Sequence, residues 1–160
     1  MNDIYTIKEQ YFEEFPDPYL KLNKNEHRPY YFAFRGDNKN ILWIIPLSSK
    51  IDKYERLIRK RKEEGKPCDV VHVCKIGSRK QAFMIQDMFP VTKEYVNTEY
   101  LVNNISYKLV NKKDIRIIEK KAKRIHFLHE NGVKVLATQP DVKYIELKLL
   151  EKIQEKESNN

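Results

Sequence analysis

The 160-residue chain contains no long apolar run and no apolar segment near its first residue. The first ten residues, MNDIYTIKEQ, are polar and alternating, and no stretch approaches the roughly 20 apolar residues that a membrane helix requires. Only two cysteines are present, Cys68 and Cys74, so we expect no structural disulfide. These absences predict a cytoplasmic protein. The length of 160 residues suits one domain, expected over residues 1–156 and followed by a frayed tail at 157–160.

Glycine is scarce, with four residues, and the glycine-containing motifs of several enzyme classes are missing. The absence of GxxxxGK[ST], GxGxxG and GxSxG argues against an NTPase or an α/β-hydrolase. Metal-ligand spacing is also poor. Cys68, His72 and Cys74 form C-x3-H-x-C without a fourth ligand nearby, and His126 and His129 have no obvious carboxylate partners. We therefore expect no metal and no cofactor, which leaves His72 as an acid, a base or a core residue.

Negative charge is in short supply, with 23 acidic against 31 basic residues, a net charge of +8 and a pI of about 9.3. This balance favours nucleic acid as a partner, ahead of a membrane surface, although it also suits a merely soluble basic protein. The charge is clustered: residues 50–62 and 112–124 each hold seven Lys or Arg against two acidic residues. Two basic helices on one small domain indicate a long polyanion.

The pattern of apolar residues predicts an α+β fold, with a compact, strongly bent antiparallel β-sheet and surrounding helices. Strands are expected at 3–7, 30–34, 41–45, 69–76 and 81–91, with mixed strand material at 100–110. Helices are expected at 8–15, 50–64, 111–130 and 140–156. Residues 16–29 are predicted to form a loop, residues 35–40 (RGDNKN) a hairpin turn, and residues 132–138 are ambiguous.

The segment WIIPLSSK, residues 43–50, joins an apolar strand to the first basic helix. Ser49, with Asp52 three residues later, fits a capping box, so it can be interpreted as a helix cap alone. The amides at a helix N-terminus also attract phosphate, and the hydroxyls of Ser48 and Ser49 beside Lys50 suit that role. The local sequence leaves both interpretations open.

Several tyrosines are interleaved with the basic residues. If exposed, they could stack on unpaired bases; otherwise they pack in the core or at its edge. They are Tyr11, Tyr19, Tyr30, Tyr31 and Tyr54. RNA also supplies its own nucleophile, the 2′-hydroxyl, so cleavage needs only alignment, charge stabilisation and proton transfer. An Arg, a pair of hydroxyls and a Tyr or Lys suffice, and the strand–helix junction offers them.

The order of these motifs resembles the toxins of type III toxin–antitoxin and phage-abortive systems, the ToxN/AbiQ family and especially its CptN/TenpN branch. The matching segments span nearly the whole chain in the same order: IYTIKEQYF, RPYYF, IPLSSK, AFMIQDMFPV, IIEKKAKRI and PDVKYIE. The resemblance implies a bent sheet like the barrel core of the MazF, CcdB and Kid toxins. It also implies a sequence-specific, metal-independent endoribonuclease that leaves 2′,3′-cyclic phosphate and 5′-hydroxyl ends.

The same resemblance implies the partners. The toxin would cleave target mRNA, process a small pseudoknot RNA antitoxin and be inhibited by it in a closed multi-subunit protein–RNA assembly, with a role in phage defence. No DNA or membrane partner is expected.

The resemblance also assigns residues. Tyr11 aligns with an active-site tyrosine, Arg28 with a basic residue at the start of the hairpin, and Ser48 and Ser49 with a hydroxyl pair followed by basic Lys50. Some members carry a tyrosine just before that first basic residue. NKNEH has none here, so either Tyr30 or Tyr31 substitutes for it or the role is absent. Charge alone extends the RNA-binding prediction to Lys53, Arg56, Arg59, Lys60, Arg61, Lys62, Arg79 and Lys80.

Three other classes share parts of this pattern. A non-catalytic RNA-binding module shares the charge and the aromatics but does not need Ser49 or Arg28 to react. A DNA-binding regulator would require a helix-turn-helix with base-reading side chains, and no convincing one is present. A membrane-surface protein fits less well because the basic helix carries few bulky apolar residues.

Overall fold

The computed structural model of the protein describes residues 3–21, 23–134 and 136–159. Nine strands and four helices follow one another along these residues. The strands are β1 (Ile4–Ile7), β2 (Tyr30–Arg35), β3 (Leu42–Ser48), β4 (His72–Ile76), β5 (Arg79–Phe83), β6 (Phe89–Val91), β7 (Val96–Glu99), β8 (Leu101–Val102) and β9 (Ile105–Ser106). The helices are α1 (Glu9–Glu14), α2 (Ile51–Glu63), α3 (Lys112–Glu130) and α4 (Val142–Ser158).

Seven strands form one sheet in the order β4-β5-β3-β2-β1-β7, with β6 paired to β3 beside this path. Every strand pairing in the described residues is antiparallel, and β8 and β9 form a separate small hairpin. Register shifts interrupt the β2–β3 and β1–β7 pairs, and such shifts bend a sheet. The α+β class is confirmed. The sheet remains open between β4 and β7, so the expected closed barrel is not confirmed.

The central strand β3 pairs with β2, β5 and β6, and all of its residues except Leu42 are buried. An apolar run on both faces is typical of such a position, as the sequence predicted. The core around it is aromatic: Tyr11 contacts Phe89 and Tyr95 with ring centroids 5.2 and 5.4 Å apart. This cluster joins α1 to the sheet.

The two longest helices, α3 and α4, begin at side-chain caps. The side chain of Asn111 accepts a hydrogen bond from the Asp114 amide at 3.1 Å, and that of Asp141 accepts one from the Tyr144 amide at 3.2 Å. These caps begin α3 and α4 where they were predicted. None of the helices in the described residues is long and apolar enough to cross a membrane.

Two strand predictions were wrong in detail. Residues 81–91 do not form one strand: a 3-10 turn at Ile85–Asp87 separates β5, which pairs with β3 and β4, from β6, which pairs with β3 alone. Strand β7 was not predicted, because three of its four residues are exposed and its sequence, VNTE, is polar. The ambiguous segment 132–138 and the tail each contain a residue outside the described ones, 135 and 160, while α4 itself continues to Ser158.

Candidate active site

The strand–helix junction places two serines in different environments. Ser48 is the last residue of β3, is buried, and lies opposite Ala82 of β5. Its Oγ accepts a hydrogen bond from the Lys50 amide at 3.2 Å, which fixes the chain direction as it leaves the sheet. Ser49 is exposed, and its hydroxyl forms no hydrogen bond with any residue that the structure describes.

Ser49 is not the cap of α2. The N-cap position is held by Lys50, and no side chain caps this end of the helix. The Ser49 carbonyl accepts from the Ile51 amide at 2.8 Å, while the amides of Asp52 and Lys53, in the first turn, have no intrahelical acceptor. Of the two interpretations that the sequence left open, the capping box of Ser49 and Asp52 does not occur. The exposed hydroxyl and the free helix amides suit an anion.

Arg28 lies beside this junction because β2 and β3 pair there. Its Nη1 donates to the Leu47 carbonyl at 2.7 Å, and the Leu47 amide donates to the Pro29 carbonyl at 3.1 Å. The side chain is 7% exposed, which is rare for an arginine. The guanidinium is thus anchored next to Ser48, with its direction set by the backbone of β3.

The loop before Arg28 has an unusual backbone. Lys24, Asn25 and Glu26 are consecutive residues in the left-handed region, with φ of 53°, 55° and 65°. Such a conformation costs free energy for non-glycine residues and is enriched at functional sites. The side chain of Asn23 holds the loop in place: it donates to the Ile7 carbonyl at 2.9 Å and accepts from the Tyr30 hydroxyl at 2.9 Å.

This loop brings a third cation to the junction. Arg28 is the main cause of a lowered pKa at Lys24, followed by partial burial and then by Lys50. Three positive groups from two segments therefore share one region, a costly arrangement that an anion would relieve. The sequence analysis did not identify Lys24, because its proximity to Arg28 depends on a left-handed turn that the sequence NKNEH does not predict.

A buried carboxylate lies near this cationic cluster, which consists of Lys24, Arg28 and Lys50. Asp87 is 4% exposed and forms an ion pair with Lys21 at 3.7 Å. Burial raises the pKa of Asp87, while Lys21 and, more weakly, Arg28 act to lower it. Asp87 was also missed, since it belongs to the 3-10 turn that splits the predicted strand at 81–91.

The catalytic role predicted for Tyr11 does not fit the structure. Tyr11 is fully buried, and its hydroxyl donates to the Pro90 carbonyl at 2.8 Å. Burial, with smaller contributions from Tyr95 and Tyr30, raises its pKa well above the ordinary value. In this arrangement the hydroxyl can neither reach RNA nor exchange a proton with it, so Tyr11 is a core residue.

The two tyrosines proposed as RNA contacts are also in the core. Tyr30 is 1% exposed and Tyr31 is 2% exposed, because both lie within β2. The Tyr31 ring packs edge-on against Phe83 with centroids 5.3 Å apart. Burial is the main reason that both tyrosine pKa values rise. Because both rings are buried, neither offers a face for base stacking. Among the candidates, Tyr19 is exposed, while Tyr54 is buried with its hydroxyl 2.9 Å from the Met84 sulfur.

Helix α2 presents the predicted basic surface. Tyr54 anchors its inner side, and most of its cationic side chains face solvent. The exposed residues are Lys53, Arg56, Arg59, Lys60 and Lys62, with Arg61 half-buried. Arg79 and Lys80 are exposed on β5, where Lys80 forms a 3.2 Å ion pair with Glu55. This ion pair places the start of β5 next to α2 and extends the same surface.

Two other groups of side chains hold potential metal donors within 4.8 Å of one another. The first consists of His72, Cys74 and Asp114, and the second of His126, Glu130 and Glu146. In the first, His72 Nε2 lies 3.0 Å from Asp114 Oδ1, and burial lowers the pKa of His72. Neither group belongs to the β3–α2 junction.

Comparison with known proteins adds the fold relationship. No protein-family model matches the chain, and no curated protein sequence matches it. Its fold is that of a type III toxin–antitoxin endoribonuclease of known structure. That protein is AbiQ, a lactococcal anti-phage endoribonuclease, which superposes with a TM-score of 0.70 at 16% identity. The match covers 95% of this chain and 98% of the AbiQ chain.

Proposed function

We propose that the chain is a sequence-specific, metal-independent endoribonuclease toxin of a type III toxin–antitoxin system. It acts in the cytoplasm on mRNA, processes a small pseudoknot RNA antitoxin, and is inhibited by that RNA in a closed protein–RNA assembly with a role in phage defence. The observation that carries the proposal is the convergence of Arg28, Ser49 and Lys50 at one strand–helix junction, in a chain that has the fold of AbiQ.

The junction suits a scissile phosphate. The Ser49 hydroxyl and the first amides of α2 would bind the non-bridging oxygens, and Arg28 would stabilise the negative charge that develops on them. Arg28 is suited to this role because its hydrogen bond to Leu47 fixes the guanidinium before RNA binds. A preorganised donor needs no reorganisation during the reaction, which is the main source of its catalytic effect.

Cleavage proceeds by attack of the 2′-hydroxyl oxygen on the adjacent phosphorus, with departure of the 5′-oxygen. The attacking hydroxyl loses a proton and the leaving oxygen gains one, which gives the cyclic phosphate and the 5′-hydroxyl. Lys50 and Lys24 are the groups we assign to proton transfer or to positioning of the RNA. Lys24 is included because Arg28 and Lys50 lie close enough to lower its pKa, which places its ammonium group in the same region. Ser48 acts through the backbone, since its Oγ is engaged with the Lys50 amide.

Helix α2 supplies the binding surface for the antitoxin backbone. Its exposed cations begin directly after the proposed phosphate site, so one RNA strand can contact both. Phosphate contacts of this kind position RNA without reading its sequence. Base recognition must therefore come from other groups.

The test is cleavage of a labelled RNA in the presence of EDTA, with detection of cyclic phosphate ends. We expect Ser49→Ala to lower the cleavage rate by about 100-fold. Ser106→Ala is the matched control, because Ser106 is also exposed but lies in the β8–β9 hairpin. Full activity of a folded Ser49→Ala variant would contradict the proposed site.

The rival function is a non-catalytic RNA-binding module, which the exposed basic face of α2 also supports. Such a module would bind RNA with the same salt dependence and would produce no cyclic phosphate ends. The DNA upstream of the gene offers a second discriminator: short tandem repeats before a terminator are expected for an RNA antitoxin and not for a binding module.

A further inference from the structure

His72 and Cys74 are neighbours on one face of β4, because residues two apart in a strand point to the same side. Cys74 lies opposite Gln81 of β5 in the antiparallel register, so it faces away from the adjacent Lys80. Lys80 contacts Glu55 of α2, which places α2 on the other face of the sheet. The pair His72 and Cys74 is therefore on the side of the sheet that α3 covers.

Helix α3 brings a carboxylate to this pair. Asp114, in the first turn of α3, places Oδ1 3.0 Å from His72 Nε2, and its backbone is fixed by the cap from Asn111. An imidazole nitrogen, a thiol sulfur and a carboxylate oxygen thus lie within 4.8 Å of one another. Tetrahedral zinc, with bonds of about 2.0–2.3 Å, requires donors roughly 3.3–3.8 Å apart, so small side-chain rotations complete the geometry.

We propose that His72, Cys74 and Asp114 bind a zinc-like divalent cation that joins β4 to α3. The donor set favours a borderline-soft transition metal over magnesium or calcium, which prefer oxygen ligands. The three protein donors leave a fourth position for water. Binding replaces the His72–Asp114 hydrogen bond with two metal bonds: the proton on His72 Nε2 moves to Nδ1 by exchange with solvent, and the Cys74 proton is released to solvent.

The proposed site is structural and separate from the catalytic proposal. His72 lies opposite Phe83, and Phe83 lies opposite Leu47, so β4 is two strand positions, about 10 Å, from the strand that carries Ser48. Metal binding would fix the edge strand of the sheet against α3. One unfavourable charge is present: Lys121 lies near enough to His72 to lower its pKa, and its Nζ donates to the Val71 carbonyl at 3.1 Å.

The sequence hid this site because its third donor lies far along the chain. The sequence suggested a local motif of Cys68, His72 and Cys74 without a fourth ligand. In the structure the third donor beside His72 and Cys74 is Asp114, 40 residues beyond Cys74, and not Cys68. Cys68 is half-buried and free, outside the three-donor group. It provides an internal control.

The experiment is a Co²⁺ titration of the reduced full chain, kept reduced with a phosphine, followed by displacement with Zn²⁺. We expect one Co²⁺ per chain with a thiolate-to-cobalt charge-transfer band, and a melting temperature raised by about 5 °C or more at about 100 times the Kd for Zn²⁺. Cys74→Ser should abolish the band, and Asp114→Asn should weaken binding at least about 10-fold. The variants Cys68→Ser and His126→Ala should retain both the charge-transfer band and the wild-type affinity for the metal.

Absence of the band in the wild-type chain, its survival in Cys74→Ser, or its loss in Cys68→Ser would each overturn the proposal. Asp114→Asn guards against a folding defect, since it preserves the cap from Asn111 and the thiol. Binding without a thiolate band would indicate the His126, Glu130 and Glu146 group instead, and would also count against the site. The charge-transfer band does not depend on RNA cleavage. Failure of the metal-site proposal and failure of the proposed endoribonuclease activity can therefore be distinguished.

Discussion

The guanidinium of Arg28 donates a 2.7 Å hydrogen bond to the backbone carbonyl of Leu47, the residue that precedes Ser48. This bond ties the start of β2 to the end of β3 and directs a buried cation towards the junction with α2. Because Arg28 is fixed before any ligand binds, its contribution to charge stabilisation should appear in the rate of reaction more than in affinity.

Replacement of Arg28 by lysine is expected to lower kcat by about 100-fold and to change KM much less. Lysine keeps the charge but cannot present the planar group that bonds to Leu47 while facing a phosphate. The measurement is steady-state cleavage of a labelled RNA, with thermal unfolding to confirm the fold. If Arg28→Lys and Arg28→Met both cleave at the wild-type rate, Arg28 is structural only.

Lys24→Asn should weaken RNA binding and reduce the slope of log K against log salt by about 1. Asparagine tolerates the left-handed backbone at φ 53°, so the change removes the charge with little disturbance of the loop. The measurement is RNA affinity across a salt series. Lys39→Asn is the matched control, because Lys39 is exposed in the turn at the far end of the β2–β3 hairpin. An equal loss in both variants would show that net charge, and not the cationic cluster, is responsible.

Tyr11→Phe should lower the free energy of unfolding by about 1 kcal/mol, since it removes the hydrogen bond to the Pro90 carbonyl and leaves that acceptor buried. Cleavage per folded molecule should be unchanged, because Tyr11 is fully buried. Denaturant unfolding and an activity assay on the same sample measure the two quantities. A variant that folds with wild-type stability but does not cleave RNA would restore the catalytic role implied by the family resemblance.

The predictable parts of the fold are those with a local signal. The strong apolar period of α3 and the hairpin between β2 and β3 depend on neighbouring residues, and each was found where expected. Strand β7 forms because it pairs with β1, which lies about 90 residues earlier in the chain. Its own polar sequence therefore gave no signal for a strand. The same reason explains the 3-10 turn at Ile85–Asp87, where the sheet changes partners within an apolar run.

The residues of the candidate site likewise divide into those with a local sequence signal and those without one. Ser49 and Lys50 were predicted because an apolar strand, two hydroxyl residues and a basic helix are consecutive in the sequence. Lys24 was missed because its approach to Arg28 depends on three left-handed residues. The burial of Tyr11 could not be predicted, because a motif shared with a family does not show whether α1 turns a side chain inward or outward.

Neutralisation of two cations on α2 tests the proposed binding surface for the antitoxin. Arg56→Gln with Arg59→Gln should weaken binding of the antitoxin RNA and lower the salt slope by about 2, since each exposed cation releases about one counterion when it contacts phosphate. Lys143→Gln with Lys148→Gln removes the same charge from α4 and should change the slope little. The measurement is affinity against salt concentration. Equal effects of the two pairs would count against a specific role for α2.

Glu146 gives a prediction about stability and pH. Burial, followed by the charge of Glu130 and a hydrogen bond to it, raises the pKa of Glu146 to about 7. The native state therefore binds more protons than the unfolded state between pH 4.5 and about 7, so this group makes the protein less stable as pH rises through that range. His129 acts in the opposite sense: its pKa is lowered to about 4, mainly by burial, so its contribution increases stability as pH rises from about 4 to 6.5.

The variant Glu146→Gln removes the first effect and leaves the second. The difference in free energy of unfolding between this variant and the wild type should increase by on the order of 1 kcal/mol between pH 4.5 and 7, after allowance for solvent screening. Above pH 7 the difference should stay constant. Denaturant unfolding at several pH values measures this difference. Glu155→Gln is the control on the same helix, because Glu155 is exposed. A difference that does not vary with pH would mean that Glu146 binds its proton no more tightly in the native protein than in the unfolded chain, which would contradict the prediction.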